Sequence, residues 1–446
     1  MANEQSIDFV LRTVEERDIR FVRLWFTDVM GNLKSFAISP EDLEEAFEEG
    51  IGFDGSAVEG FTQLQESDVL AFPDPETFQI LPWRPTESGV ARMICQIKTP
   101  DFQSFAGDPR ACLDRMFELA QSRGYIFNVG PEIEYFIFGD SKDPILVDDA
   151  GYFDLTPWDS ARELRRDTTL MLERMSIPVE YSYHAQAPSQ NCIELRFAEA
   201  LTCADNVMTA RHVIKQVAFS HDMFASFMPR PFADKPGSAL NLHESLFDTQ
   251  GNNVFYSEDA EDGVHLSQVA RQYIAGLLKY APEYMLITNP TVNSYKRLVN
   301  TGEVPCYTTW GRTNRSAMVR IPTYKPGKVL STRIEVRNPD PTCNPYLAFA
   351  ATLSAGLKGI EEELELQPES TIEDASLSTA QLEAKGIKRL PRTLGDAIEA
   401  FESSELMREV LGDHIYNYLL DAKKQEWSEF CSAVTDWEKE KYYAGF

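Results

Sequence analysis

The sequence predicts an α+β protein of two domains, a small one over residues 1–104 and a larger one over 105–446. Three observations lead there. Of the 446 residues 43% are hydrophobic and 25% charged, ordinary globular usage, and domains of roughly 100–200 residues make this length two or three domains. Within the first hundred residues an amphipathic stretch alternates with β-rich runs, until Thr99-Pro100-Asp101 breaks the pattern. Beyond the break, helix-period and strand-period segments alternate, as a sheet covered by helices requires.

In order along the chain, Ile7, Val10, Leu11 and Val14 recur at three-to-four spacing and predict a helix over 6–17. Residues 21–28 are a β-rich run, Met30-Gly31-Asn32 a turn, and 35–38 a second strand. Pro40 in the first turn and Gly50 just past the end frame a helix between them. Residues 91–98 close the small domain as a strand. In the larger domain Asp108-Pro109-Arg110 opens a helix to Ser122, and 127–138 reads as a strand. Residues 160–175 read as a helix, 192–197 as a strand, and 204–219 and 266–279 as helices. The acidic segment 361–374 has no sustained apolar period and reads as a surface excursion.

Charge bounds the partners. The formal net charge is −28, so the surface repels nucleic-acid phosphate and anionic lipid, and neither is expected as a general partner. An anionic small molecule remains open, because a local arginine cluster or a metal ion inverts the field inside one cleft. Seven cysteines, odd in number and with no CxxC pair, argue against a disulfide framework or zinc knuckle. The start, Met-Ala-Asn-Glu-Gln-Ser, shows no basic or apolar region of a secretory signal, and no apolar run approaches the roughly 20 residues of a bilayer span. The expectation is a cytoplasmic protein with reduced thiols.

Chemistry concentrates in a few segments. Gly130-Pro131-Glu132-Ile133-Glu134-Tyr135 sets two carboxylates at i and i+2, on one strand face. Alone, such a pair fits an exposed edge strand, but Phe127, Val129, Tyr135, Phe136 and Phe138 argue for burial, where two carboxylates repel and call for a cation. Arg333, Glu335 and Arg337 share a face by the same spacing, with a cross-strand salt-bridge ladder as the alternative. Arginines 297, 312, 315, 320, 333 and 337 form a basic island in an acidic chain, and the arginine fork suits carboxylate and phosphate groups. Carboxylates for metal and arginines for anions are the tools of phosphoryl transfer to a carboxylate substrate.

These segments resemble the type I (class I bacterial) glutamine synthetases along essentially the whole chain. The matches are Arg23–Asp28 (Arg-Leu-Trp-Phe-Thr-Asp), Gly52-Phe53-Asp54-Gly55-Ser56, Glu66-Ser67-Asp68, Pro131-Glu132-Ile133-Glu134 and Phe227-Met228-Pro229-Arg230-Pro231. Asn293-Ser294-Tyr295-Lys296-Arg297-Leu298, Asn314-Arg315-Ser316, Arg333-Ile334-Glu335-Val336-Arg337 and Asn344-Pro345-Tyr346 follow in order. The resemblance implies a β-grasp N-terminal domain and a catalytic domain with a curved antiparallel sheet covered by helices. It implies a homo-oligomer, a dodecamer of two hexameric rings, and an ATP-dependent glutamate–ammonia or glutamate–amine ligase working through γ-glutamyl phosphate with Mg²⁺ or Mn²⁺. By matched position, Glu132 and Glu335 would hold the ATP-side metal and Glu134 the glutamate-side metal. Gly237, Arg297 and Arg337 would bind glutamate, and Glu180, His243, Ser245, Arg320 and Lys328 would contact ATP. Asp54, Glu303 and Arg315 would be catalytic.

Three positions depart from the family pattern. Ala185 and Cys192 stand where two glutamates of the glutamate-side metal are expected, and Asn241 where a histidine of the ATP-side metal is expected. Glu194, two residues on from Cys192, is a candidate substitute, and Cys192 reads as a small buried apolar residue or a ligand for a softer metal. The ATP-side metal is therefore expected to be kept better than the other. Glutamine-forming activity is expected to be reduced or lost. The alternatives are a silent member keeping nucleotide or glutamate binding, and a γ-glutamyl-polyamine or γ-glutamyl-monoamine ligase. Without a tyrosine between Glu365 and Lys385, loop adenylylation is expected to be absent.

Overall fold

The computed structural model describes residues 2–61, 68–259, 265–299, 304–323, 328–371, 374 and 377–445. Glu303 lies outside the described residues, as do Glu66 and Ser67.

The chain opens with helix α1 (Ala2–Glu16) and strands β1 (Ile19–Thr27) and β2 (Leu33–Ile38). After the short helix α2 (Leu43–Glu48) come β3 (Ile51–Asp54), β4 (Asp68–Pro73), β5 (Gln79–Ile80) and β6 (Gly89–Lys98). They form one sheet in the order β2-β1-β6-β4-β3, with β5 on β6 and the pair β1–β6 parallel, the β-grasp arrangement. Val10 and Val14 of α1 pack on Val22, Leu24, Ala91 and Met93, so the predicted stripe faces the sheet. β3 and β4 were not anticipated, because their exposed and buried residues alternate without a long apolar run.

In the larger domain, helix α3 (Pro109–Ser122) begins where Asp108 caps the Arg110 backbone N–H. Then follow β7 (Ile126–Phe138), α4 (Arg162–Arg174), β8 (Val179–His184), β9 (Gln190–Leu195), β10 (Ala198–Glu199), α5 (Ala200–Ser220), β11 (Phe224–Ser226) and β12 (Leu240–Phe247). Helices α6 (Gln268–Thr288) and α7 (Val292–Arg297) lead to the short strands β13 (Trp310–Gly311), β14 (Val319–Arg320) and β15 (Ile334–Val336). Helices α8 (Pro345–Glu361), α9 (Thr379–Ala384), α10 (Leu394–Glu402), α11 (Glu405–Ser432) and α12 (Asp436–Tyr442) complete the chain. The nine strands run β13-β14-β15-β12-β7-β9-β8, with β10 and β11 also on β7, and all pairs except β13–β14 are antiparallel.

Alternation sorts this sheet into two faces. Val129, Ile133, Tyr135, Ile193, Leu242 and Ile334 join the helical core, while Glu132, Glu134, Cys192, Asn241, His243 and Glu335 turn the other way. Behind the core α6 crosses α8 so closely that a Cβ on Gly276 would stand 2.1 Å from the Ala355 carbonyl oxygen.

One expectation needs correction. The helix expected to stop at 279 runs on to Thr288 with Pro282 inside it, where tertiary packing against α8 outweighs the roughly 3 kcal/mol interior cost of proline. The 361–374 segment runs largely over the surface, as expected, and is tied down at two points. The Gln367 carbonyl accepts from the Trp310 indole at 2.7 Å, and Glu369 pairs with Arg312 at 2.7 Å, stitching it to the sheet's β13 edge.

Candidate active site

The paired carboxylates sit mid-sheet, not on an edge. Register aligns Glu132 with Asn241 on one side and Glu194 on the other, and Glu134 with Cys192, which in turn faces Tyr183. Glu335 lies opposite His243 and Arg320. Neighbouring strands thus bring Glu132, Glu134, Cys192, Asn241, His243, Ser245, Arg320 and Glu335 onto one face.

Glu132 is the hub. Its Oε1 accepts from the Tyr183 hydroxyl at 2.7 Å and from the Cys192 thiol at 3.7 Å, and its Oε2 from the Asn241 amide at 3.0 Å. His243 Nε2 stands 3.9 Å from Oε2, while Arg333 Nε–H donates to His243 Nδ1 at 3.2 Å, which leaves the neutral ring's proton on Nε2, facing the carboxylate. Burial alone would raise this carboxyl; His243 first, then Asn241 and Tyr183, bring it down to about 2. Glu132 is a carboxylate.

Glu134 is served differently. The Ala239 N–H donates to its Oε2 at 2.7 Å, and burial together with the charge of Glu132 pushes its carboxyl up to about 7. Glu194 is raised to about 7 by the same two causes. Cys192 is fully buried, its thiol pushed far up by burial and the neighbouring carboxylates, so here it is a protonated donor. Ala185 is buried in the tight turn between β8 and β9, its N–H bonded to the Gln190 carbonyl at 2.8 Å.

The arginines are largely committed to this chain. Glu335 pairs with Arg320 at 2.8 Å and with Arg337 at 3.1 Å, the ladder that the sequence left open. Arg337 also donates to the carbonyls of Arg315 and Ala317. Arg297, buried at the end of α7, donates to the Asn338 carbonyl at 2.8 Å and the Arg337 carbonyl at 3.0 Å. Gly237 packs where a Cβ would stand 2.3 Å from the Pro229 carbonyl oxygen, and its own carbonyl accepts from Gln190 at 3.1 Å.

Ser245 is buried on β12, on the His243 face. Glu180 is exposed at a register shift in β8, Arg315 is exposed, and exposed Lys328 precedes a single 3₁₀ turn. Asp54 ends edge strand β3 of the small domain, where its Oδ1 accepts from the Ser56 N–H at 2.9 Å.

Two aromatic groups escaped the sequence reading. Phe197, 60% exposed, packs over Gly130 beside His243 and lies parallel to Phe247. Tyr152 and Phe153 stack at 4.0 Å and both meet Tyr183 edge-on, with Phe153 held at φ 61°. Neither carries a periodic signal; only the Gly151-Tyr152-Phe153 turn and the aromatic just past a strand hinted at them.

A second polar group lies behind the β8–β9 turn. His184 Nε2 contacts Asp148 at 3.1 Å and Nδ1 contacts the Ala185 carbonyl at 2.9 Å. Both partners are acceptors, so the ring is stable as imidazolium; burial lowers its proton affinity, but Asp148 and that carbonyl raise it above the usual value. Asp159 pairs with Arg165, so the cluster of Asp148, Asp159 and His184 holds two acids against two cations and needs no metal for charge balance.

Does the site face fit the family's divalent ions? On the glutamate side Glu134 alone remains of three carboxylates, which does not fit an ion held by the protein. On the ATP side Glu132 and Glu335 remain, but protons and guanidinium groups already meet their oxygens.

Comparison with known proteins places this arrangement. Residues 106–442 match the family model of the glutamine synthetase catalytic domain, and residues 18–100 that of the glutamine synthetase β-grasp domain. The chain is 50% identical to a glutamine synthetase of Mycolicibacterium smegmatis over 445 residues, covering 98% of this chain and 99% of the relative. It is 45% identical to one of Methanosarcina mazei over 437 residues, covering 97% and 96%. A solved GmaS–ADP complex superposes with a TM-score of 0.85 at 28% identity, over 97% of this chain and 99% of that one.

Proposed function

The chain belongs to the glutamine synthetase family, and on that premise we propose that it keeps the ligand-binding frame of an ATP-dependent glutamate–ammonia or glutamate–amine ligase with glutamine-forming turnover reduced or lost. The observation that carries this is the pair Ala185 and Cys192. They leave one carboxylate, Glu134, to hold an ion that must come mainly from protein ligands, and burial raises that carboxyl to about 7. Members of the family use divalent metals, and here the ATP-side position, with Glu132 and Glu335, is the better kept by carboxylate count.

The ligands this reading assigns are ATP, with Glu180, His243, Ser245, Arg320 and Lys328, and glutamate or a related amino acid, with Gly237, Arg297 and Arg337. The exposed Phe197 ring beside His243 offers a stacking face for a base. Asp54, Arg315 and Glu303 are the catalytic positions by resemblance. We place the domain boundary between residues 104 and 105, the assembly as a dodecamer of two hexameric rings, and the protein in the cytoplasm. Among the described residues no helix is long and apolar enough to cross a membrane.

The test is turnover. Purified protein with ATP, glutamate, Mg²⁺ or Mn²⁺, and in turn ammonia, ethylamine, ethanolamine, putrescine and spermine is expected to release little or no phosphate that depends on both glutamate and ammonia. Release with ammonia at an ordinary enzyme rate of about 10 s⁻¹ sinks the reading in favour of glutamine synthesis; release with one amine and little with ammonia keeps it and selects the γ-glutamyl-amine ligase.

A further inference from the structure

We propose that Tyr183, Asn241 and Cys192 fill with their own protons the place of a divalent ion at Glu132, so that this face of the sheet is assembled without metal. The proposal rests on the family reading above and goes past it, because it concerns the ATP-side position that carboxylate count alone would leave to a metal.

The three donors come from three strands and converge on one carboxylate. Tyr183 on β8 meets Oε1 at 2.7 Å, Cys192 on β9 meets the same oxygen at 3.7 Å, and Asn241 on β12 meets Oε2 at 3.0 Å. A carboxylate has about four lone-pair sites, and three are taken here, with His243 Nε2 facing Oε2 at 3.9 Å. An amide heteroatom that close to a carboxylate oxygen must be the nitrogen, since an oxygen would repel; Asn241 therefore donates where a metal ligand would offer a lone pair. The substitutions at 192 and 241 are thus replacements of electron-pair donors by proton donors, and not simply losses.

Electrostatics points the same way. Glu335, the other carboxylate of this position, lies between Arg320 and Arg337, and Arg333 stands behind His243. Two guanidinium groups already meet the oxygens of Glu335. A divalent ion bonded at about 2.0–2.1 Å to Glu132 would have to expel two or more donors and approach these cations.

Mn²⁺ alone is the probe, followed by electron paramagnetic resonance of the free ion and by the melting temperature of the full chain. The wild type is expected to show no bound Mn²⁺ and no shift in melting at millimolar ion. Ala185→Glu/Cys192→Glu/Asn241→His is expected to bind Mn²⁺ at least about tenfold tighter than wild type. Asn241→Asp, nearly isosteric, turns one donor into a carboxylate and is expected to move in the same direction even if the triple variant does not fold. Micromolar binding by the wild type overturns the proposal, as does a folded Asn241→Asp that gains nothing. The two readings fail separately: turnover that survives EDTA ends the claim of lost activity and leaves this one standing, whereas Mn²⁺ bound without turnover does the reverse.

Discussion

On the site face of the large sheet Glu132 has a donor at each oxygen and titrates at about 2, whereas on the helix face Glu244, one strand away, is held at about 7. Both are enclosed, and Glu244 is fully buried. Glu244 accepts from the Tyr273 hydroxyl at 2.9 Å, but among the described residues its Oε1 has no hydrogen-bond partner. Burial drives Glu244 up against the pull of Thr352 and Tyr273, while His243, Asn241 and Tyr183 overcome burial at Glu132. The difference teaches that donor supply, and not depth, decides which buried acid is charged.

The strongest way to break this comparison is to strip the donors from Glu132. Tyr183→Phe/Asn241→Leu removes two charge-assisted bonds and leaves an enclosed carboxylate underserved, so stability at pH 7 is expected to fall by about 3–5 kcal/mol in urea unfolding. The pH dependence gives the sign. The folded value of about 2 lies below the ordinary glutamate value of 4.5, so the stabilisation is full above about 4.5 and is lost as pH falls towards 2. The gap between variant and wild type should therefore close in acid. A gap of constant size from pH 7 to pH 2 would show that the two side chains act by packing alone.

Glu244→Gln tests the other face. Here the folded value, about 7, lies above the ordinary glutamate value of 4.5, so the wild type is most stable below 4.5 and loses stability as pH rises to 7. That shift corresponds to about 3 kcal/mol, and the glutamine variant has no such titration. Measured from pH 4.5 to 8, the wild type should lose about 3 kcal/mol more than the variant. Parallel profiles would mean that Glu244 is not a neutral acid at low pH in the fold, and the contrast with Glu132 would dissolve.

The sequence carried the site face further than its chemistry. Period-two spacing put Glu132 with Glu134, and Arg333 with Glu335 and Arg337, on shared faces, because a strand's geometry is local. The partners of Glu132 were not legible, since Tyr183 stands 51 residues away across two strands and Asn241 109 residues away. The sequence marks Asn241 only as a departure from an expected histidine; the opposing carboxylate oxygen settles that the amide turns its nitrogen inward. The Arg320–Glu335–Arg337 ladder stayed one of two readings until the register of β14 on β15 chose it. Phe197 and the Tyr152–Phe153 pair were invisible for a different reason, as they sit on connections whose path depends on what they pack against.

The smallest effect concerns the turn that carries Ala185, and it separates the polar cluster behind the turn from the carboxylate hub in front of it. Ser189 is fully buried at φ 62°, a region that favours glycine. A side chain in that region costs about 1 kcal/mol that glycine avoids. In return the Ser189 hydroxyl accepts from the Val147 N–H at 2.8 Å and the Asp148 N–H at 3.4 Å, and the Ser189 N–H donates to Asp148 at 2.7 Å. Ser189→Gly relieves the strain but leaves the Val147 N–H without its acceptor, a loss of about 1–3 kcal/mol. The net expectation is a destabilisation of about 1 kcal/mol, the opposite sign from what backbone preference alone gives. Because Asp148 positions His184, and His184 adjoins Ala185, the variant should also speed amide exchange at 147–150, while the Glu132 hub, held from β8, β9 and β12, keeps its protection. A stabilised Ser189→Gly would show that strain outweighs the hydroxyl's bonds, and that this turn tolerates serine despite its conformation and not because of the cluster it holds.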